Sequence, residues 1–438
     1  MVLLGWGQAT GAKVTISSLA ELAEYAKKSG NIVTLQPGEY HLTHLLTPEK
    51  IKTKKKSKDF PLISFEGSNN IFELKGTTIW HDTSIRASLR PPTHSNEFLI
   101  SGKQNILRNL KILCTGKGVS PGGTLVAVTG ASNTLSEAQL LCQGSFPYGY
   151  GDLMGKGGRG NVVQHRKHSS LLITGDGTTI QDCKIIVRSF GHGIYLQEDA
   201  ADVLIENCEV RGQVRQTSEM LAERGTLAHE KNFRTTIQNR EGTNRILPGY
   251  TKSLAEDAFR TYGNHPRLII RDCKAIQMRG GFEVRSKEPA LLENCSAIGC
   301  ERGFWVADGT WLKNCSGDTR FGPLLYTEGE GVTVELTLLP DSSSSVVHSI
   351  AAIHGKNHTI TIKTNQRRQR IPAQPILIGF SSPSAGENMS RNGENNAHNI
   401  TLHNETTMPV VIGRKAQDCT IQSNGKILQN KGRDIKLL

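Results

Sequence analysis

Tyr195, Arg260, Glu283 and Trp305 occupy equivalent points of successive, similar stretches of the chain, and Gln197, Tyr262 and Arg285 follow two residues behind the first three. In GIYLQ, AFRTY, GFEVR and GFWVA these groups alternate with apolar residues. A strand that buries Ile194, Leu196, Phe259, Thr261, Phe282 and Val284 therefore turns all of them to its other face. Trp305 with Ala307, and Tyr326 with Glu328, continue the alternation. A solvated face is ordinarily built from Ser, Thr, Asn and Lys. Rings and guanidinium groups instead suit sugars and carboxylates, because Arg pairs with a planar carboxylate through two parallel hydrogen bonds. His192 stands just before the first strand, in Phe-Gly-His-Gly.

The chemistry such a stripe suits is β-elimination on a uronate polymer. A cation must neutralise the carboxylate, a base must take the C5 proton, and an acid must protonate the departing O4 oxygen. Arg260 is assigned as the neutraliser and Tyr195 as the acid. Lys231 is the first choice of base, with Lys252 in reserve, since neighbouring cations can depress a Lys pKa. Glu283 is expected to orient Arg260 or Arg285. His192, Gln197, Arg215, Tyr262, Glu283, Arg285, Trp305, Tyr148 and Tyr150 are expected to bind substrate. Hydrolysis needs a pair of carboxyl groups flanking the bond. The nearby Asp176, in a Gly-Asp-Gly turn, and Asp182, before Cys183, do not make one.

The elements that position these groups follow from a repeat. Asp182-Cys183, Asn207-Cys208, Asp272-Cys273, Asn294-Cys295, Asn314-Cys315 and Asp418-Cys419 repeat one dipeptide, with gaps of 22 and 20 residues from Cys273 to Cys295 to Cys315. Zinc sites want Cys two to four residues apart, so this period marks a structural repeat and a ladder of buried thiols. Each unit holds short strands broken by Gly, Asp or Asn turns. Such units cannot bury an apolar face alone and must stack. The expected fold is all-β: a right-handed parallel β-helix of about ten turns, with Asn, Cys and β-branched ladders inside, as one domain over residues 1–438.

Residues 17–30 are expected to form an N-terminal cap helix, with Ser18 and Glu21 as a capping box and Gly30 as its stop. Two insertions, 143–168 and 213–256, interrupt the coil and are expected to wall a cleft, since structureless loops of this length are usually functional. The chain has 52 Lys plus Arg against 40 Asp plus Glu, a formal charge of +12, which fits a polyanionic partner. No run of about 18 apolar residues suggests a membrane span. No recognition helix or RNA-binding signature points to nucleic acid. No acidic cluster reads as a calcium cage, so no metal or other cofactor is expected. A monomer acting outside the cytoplasm, secreted or periplasmic, is the expected form. The first nine residues, MVLLGWGQA, lack the basic start of a secretion signal.

The order KHSSLLITG, SFGHGIYLQ, SLAEDAFRTYG, with YGYGDLMGKGG ahead, resembles the β-helical polysaccharide lyases of the alginate-lyase kind, particularly family 31, over roughly residues 100–310. The resemblance implies an alginate-like substrate and a reacting Tyr and Lys in a cleft on the side of the coil. The Tyr carries over to Tyr195 and the Lys to Lys231, or to Lys252 if an insertion moves it. The Lys/Arg pair of the related alginate and dermatan lyases would point to Arg260 with either Lys. Gly-His-Gly ahead of IENC is also similar to the polygalacturonases, whose paired aspartates are missing here. The Asp-Pro-His-Asp motif of the alginate epimerases is absent. A β-helix that binds glycans without cleaving them, as adhesins and tailspikes do, is the rival class.

Overall fold

The repeated dipeptide is a corner. Asp182, Asn207, Asp272, Asn294, Asn314 and Asp418 all have φ between 48° and 57°, the left-handed region that Asn and Asp tolerate best among residues with a Cβ. All but Asn314, which bends the longer strand Trp311–Thr319, follow the end of a short strand, and the Cys after each turns inward. Cys183, Cys208, Cys273, Cys295, Cys315 and Cys419 are at most 1% exposed, and all nine cysteines are buried free thiols. The Asn and Asp side chains do not enter the interior as expected. They form a ladder on the outside of the corner, where Asn207 donates to Asp182 over 2.6 Å, Asn294 to Asp272 over 3.0 Å and Asn314 to Asn294 over 2.8 Å. An interior Asn ladder exists elsewhere: the backbone N–H of Asn70 donates to the Asn105 side chain over 3.1 Å, and that of Asn105 to Asn133 over 2.8 Å. Asn294→Ala is expected to cost about 1–2 kcal/mol, the strain of the left-handed conformation. Asn294→Gly should recover most of that in urea unfolding, because Gly carries no such strain.

The computed structural model describes residues 11–47, 51, 60–88, 95–154, 163–231, 248–319, 322–340, 349–364, 374–380 and 393–438. The nine-residue start, the Lys52–Lys58 run, and Lys156, Arg159, Arg234, Arg240 and Arg245 of the insertions lie outside the described residues. Coiling at these corners stacks the strands in parallel. One sheet holds 13 strands, from Ile63–Phe65 to Ile427–Asn430, and a 23-stranded sheet bends around the rest of the coil. One strand per turn gives more turns than the ten or so legible from the repeat. The additional strands include these two terminal ones, which carry no Asn/Asp-Cys dipeptide. Inside, Phe259, Phe282 and Phe304 stack at 4.6 and 5.0 Å, tilted by only 1° and 6°.

The N-terminal helix spans Leu19–Tyr25. The Ser18 hydroxyl accepts the Glu21 N–H over 3.2 Å, and the Glu21 carboxylate accepts the Ser17 N–H over 2.9 Å. Leu19, Leu22 and Ala26 bury one face. The helix stops at the Ala26 cap, short of Gly30, whose φ of 74° belongs to the turn that returns the chain to the first strands.

Where the first insertion leaves and rejoins the coil, a wholly buried ion cluster fixes both of its feet. Arg86 clamps Glu97 through Nε at 2.6 Å and Nη2 at 2.8 Å, and donates to the Gln143 carbonyl over 2.5 Å. His168 lies 3.0 Å from Arg86 and 3.2 Å from Glu97, with Ser120 at 2.8 Å on its other nitrogen. The second insertion begins and ends as the antiparallel pair Val214–Gln216 with Thr251–Ser253.

Candidate active site

Register brings the stripe together. Tyr195 pairs with Arg260, Arg260 with Glu283, Glu283 with Trp305 and Trp305 with Tyr326, on consecutive strands of the 13-stranded sheet. Ile194, Leu196, Phe259, Phe282, Val284, Phe304 and Val306 lie inside, so the stripe faces outward. Gln197, half-buried, and Tyr262, 40% exposed, sit in the neighbouring file.

His192 is the hub. Its ring lies 5.4 Å from the Tyr195 ring and 5.6 Å from the Tyr262 ring. Nε2 is 3.0 Å from the Tyr262 hydroxyl and 3.4 Å from Glu256 Oε2, while Nδ1 is 3.4 Å from Asp257 Oδ2. The Asp257 backbone N–H donates to Nδ1 over 3.4 Å, so the neutral ring carries its proton on Nε2, between the Tyr262 oxygen and Glu256. Burial lowers the His192 pKa against the pull of Glu256 and Asp257, so the imidazole is neutral. Burial pushes the Tyr195 phenol well above its ordinary range. It raises Tyr262 as well, with Arg260 opposing.

The two carboxylates behind His192 are held ionised. Burial alone would raise Glu256, but His192, Lys167 at 2.7 Å and Arg279 outweigh it. Burial is likewise overcome at Asp257 by Arg279, at 2.9 Å, with His192, Arg260 and Arg302. This packing dictates Gly280: a Cβ there would meet Asp257 Oδ1 at 2.7 Å and Glu283 Cγ at 3.0 Å. Glu283 is gripped by Arg260 and Arg302, not by Arg285 as one alternative had it. Arg285 instead lies 4.2 Å over the Trp305 ring, and among the described residues no carboxylate forms an ion pair with it.

The lysines proposed as base are placed differently. Lys252 is 1% exposed and sealed between Asp152 at 2.5 Å and Glu301 at 2.9 Å. Two carboxylates in a buried site hold it as a structural cation that joins both insertions to the coil, so it corrects the reserve assignment. Lys231 caps the short helix Leu227–Glu230 and is exposed. Among the described residues no hydrogen bond or ion pair joins it to the stripe. Arg215, Tyr148 and Tyr150 likewise tie the insertions to one another. Arg215 pairs with Glu223 at 2.5 Å and donates to the Gly149 carbonyl over 3.0 Å. Tyr148 donates to Gln213 and Tyr150 to Glu223, each over 2.8 Å.

Sequence reasoning passed over Lys167, Glu256, Asp257, Arg279 and Arg302. A signal was present: Glu256-Asp257 is an acidic pair at the start of the strand that carries Arg260, and Arg279 and Arg302 each precede one or two Gly and a buried Phe. Among the described residues no group of three His, Cys, Asp or Glu side chains is gathered to hold a metal ion.

A family model described as a right handed beta helix region matches residues 159–366, the stretch that carries the stripe. The chain is a right-handed parallel β-helix. No curated protein matches the chain. Right-handed β-helices serve polysaccharide lyases, glycoside hydrolases and binding proteins alike, so the fold leaves the chemistry to the site. No described helix of this β-helix is long and apolar enough to cross a membrane.

Proposed function

We propose that this β-helix is a polysaccharide lyase that cleaves an anionic uronate polymer, alginate before others, by β-elimination. The observation that carries the reading is the convergence of Tyr195 and Tyr262 on a neutral, carboxylate-backed His192, one strand from Arg260. The polymer lies along the outward stripe, and Arg260, held in place by Glu283 through Nη1, offers its remaining N–H groups to the carboxylate of the reacting sugar. The His192–Tyr262 pair takes the C5 proton: Tyr262, having given its own proton to solvent, accepts it as a phenolate steadied by the Nε2–H of His192 and by Arg260 over its ring. The C4–O4 bond breaks, a C4=C5 double bond forms, and O4 leaves with the Tyr195 proton. The pair then returns its proton to Tyr195 through solvent. This replaces the lysine base by the histidine-tyrosine pair, because neither lysine is free and close.

The carboxylates argue against hydrolysis. Glu256, Asp257 and Glu283 are each buried in ion pairs, so none of the three is free to flank a glycosidic bond. A polymer-degrading role would place the protein outside the cytoplasm or in the periplasm. The test is ultraviolet absorbance of the unsaturated uronate while the protein meets alginate, polygalacturonate, hyaluronan, dermatan and heparin separately. A rise on one of them, alginate first, is expected. New reducing ends without that absorbance overturn elimination in favour of hydrolysis. Binding of a polymer with neither signal overturns catalysis in favour of a glycan-binding β-helix.

A further inference from the structure

The stripe has two ends, and both are aliphatic. In register with Tyr195, the preceding strands carry Leu172 and Ala127. In register with Tyr326, the following strands carry Ala352 and Leu377. Five consecutive strands between them hold the polar and aromatic groups, and those groups form two clusters. One centres on His192, Tyr195 and Tyr262. The other is built around Trp305, whose ring meets the Tyr326 ring edge-on at 4.6 Å and 89°. The Tyr326 hydroxyl is fixed by His354 Nε2 at 2.9 Å.

Ala307 gives the second cluster a floor. It is 4% exposed yet stands apart from the interior core. Val284, Val306 and Thr327 pair in register, so the residues after them, Arg285, Ala307 and Glu328, form one file. Arg285 and Glu328 therefore flank Ala307, which the side chains around it cover, and the partly exposed Arg285, Trp305, Glu328 and His354 form the surface there. Arg285 lies on Trp305 with its charge unmatched by any ion pair among the described residues. Burial raises the Glu328 pKa, with Arg285 and Trp305 opposing, which makes this carboxyl a ready partner for sugar hydroxyls.

We infer that the surface formed around Ala307 by Arg285, Trp305, Tyr326, Glu328 and His354 is a distal uronate-binding subsite. Arg285 takes the sugar carboxylate, Glu328 pairs with ring hydroxyls, and the fixed Tyr326 edge sets the ring's tilt. Three strand spacings separate Tyr195 from Trp305, about 14 Å at about 4.8 Å each. One spacing is close to the length of a pyranose unit in a polymer. The subsite therefore grips the third sugar beyond the reacting one, and past Tyr326 the described strands continue that file with Ala352 and Leu377. The count of sugars from Tyr195 rests on the lyase reading, whereas binding of an acidic sugar at Ala307 does not.

Calorimetry of oligouronates of two to six units, from alginate and from polygalacturonate, on the full-length Tyr195→Phe protein tests this. Affinity is expected to step up by about tenfold once the oligomer reaches Arg285, the worth of one charge-assisted hydrogen bond. Arg285→Ala should erase the step. Glu328→Gln, which keeps the side chain's shape, should reduce it. Short oligomers should bind all three proteins alike, which also reports that the variants are folded. A step that survives Arg285→Ala, or affinity without any dependence on length, overturns the subsite. A step erased by Arg285→Ala in a protein that shows no elimination on any polymer upholds the subsite and overturns only the lyase reading.

Discussion

Tyr195→Phe is expected to lower the rate of elimination by about 10²- to 10⁴-fold, the range carried by one positioned acid or base. Removing a single hydroxyl leaves the ring against His192 and the strand pairing with Arg260 intact, so polymer binding should change little. The loss belongs in kcat, measured by the growth of ultraviolet absorbance under saturating polymer. His192→Ala should fall by a similar factor, and the double variant by little more than either single one, because both act in one proton relay. Equal loss of binding and turnover in Tyr195→Phe would mark the tyrosine as a sugar platform only. The lowered His192 pKa adds a pH expectation. The neutral imidazole persists below the ordinary histidine value, so the acid limb of kcat/KM should lie below about pH 6.5.

Glu97→Ala should destabilise the protein by about 3–5 kcal/mol, because it leaves the Arg86 guanidinium buried and uncompensated. Both side chains are fully buried. Replacing both partners, as Arg86→Met with Glu97→Leu, should cost less than Glu97→Ala alone. The same cluster predicts a pH dependence. Burial first, and Arg86 second, lower the His168 pKa from 6.5 to about 4. The unfolded chain therefore binds that proton near pH 6.5, while the folded protein refuses it until about pH 4. Stability is present above pH 6.5 and is lost as the pH falls towards 4, by about 3 kcal/mol from this residue. Glu97, held well below its ordinary value by Arg86, His81 and His168 against the opposing effect of its burial, adds a further loss below the carboxylate range. Urea unfolding at pH 7 and pH 4.5 checks the sign, and His168→Gln should flatten the slope between them.

The coil was legible because its determinants are local and repeat. A corner needs a left-handed residue, Asn and Asp supply it, and the next side chain must point inward, so the dipeptide and its spacing encode the stacking. Two-residue alternation then fixes which side chains face out. Register on a parallel stack adds nothing new, which is why Tyr195, Arg260, Glu283 and Trp305 fall on neighbouring strands as their sequences imply. The same periodicity did not reveal the inner Asn70, Asn105 and Asn133 ladder, since those residues precede strands that lack the Cys signal.

The parallel coil, its inward thiols and its outward aromatic and cationic stripe thus follow from local residue patterns alone. Which charges on that stripe are free depends on packing between distant segments. Lys252 meets Asp152 and Glu301, the latter 49 residues away along the chain. Arg260 meets Glu283 of the next strand, and His192 meets Glu256 and Asp257 across the second insertion. Asp152, Glu256 and Glu301 come from irregular segments with no period, Asp257 and Glu283 from regular strands whose side-chain partners the period does not specify, and a buried cation's chemistry depends on the carboxylate beside it. Residue type names a possible base; the neighbours that desolvate or neutralise it decide whether it is one.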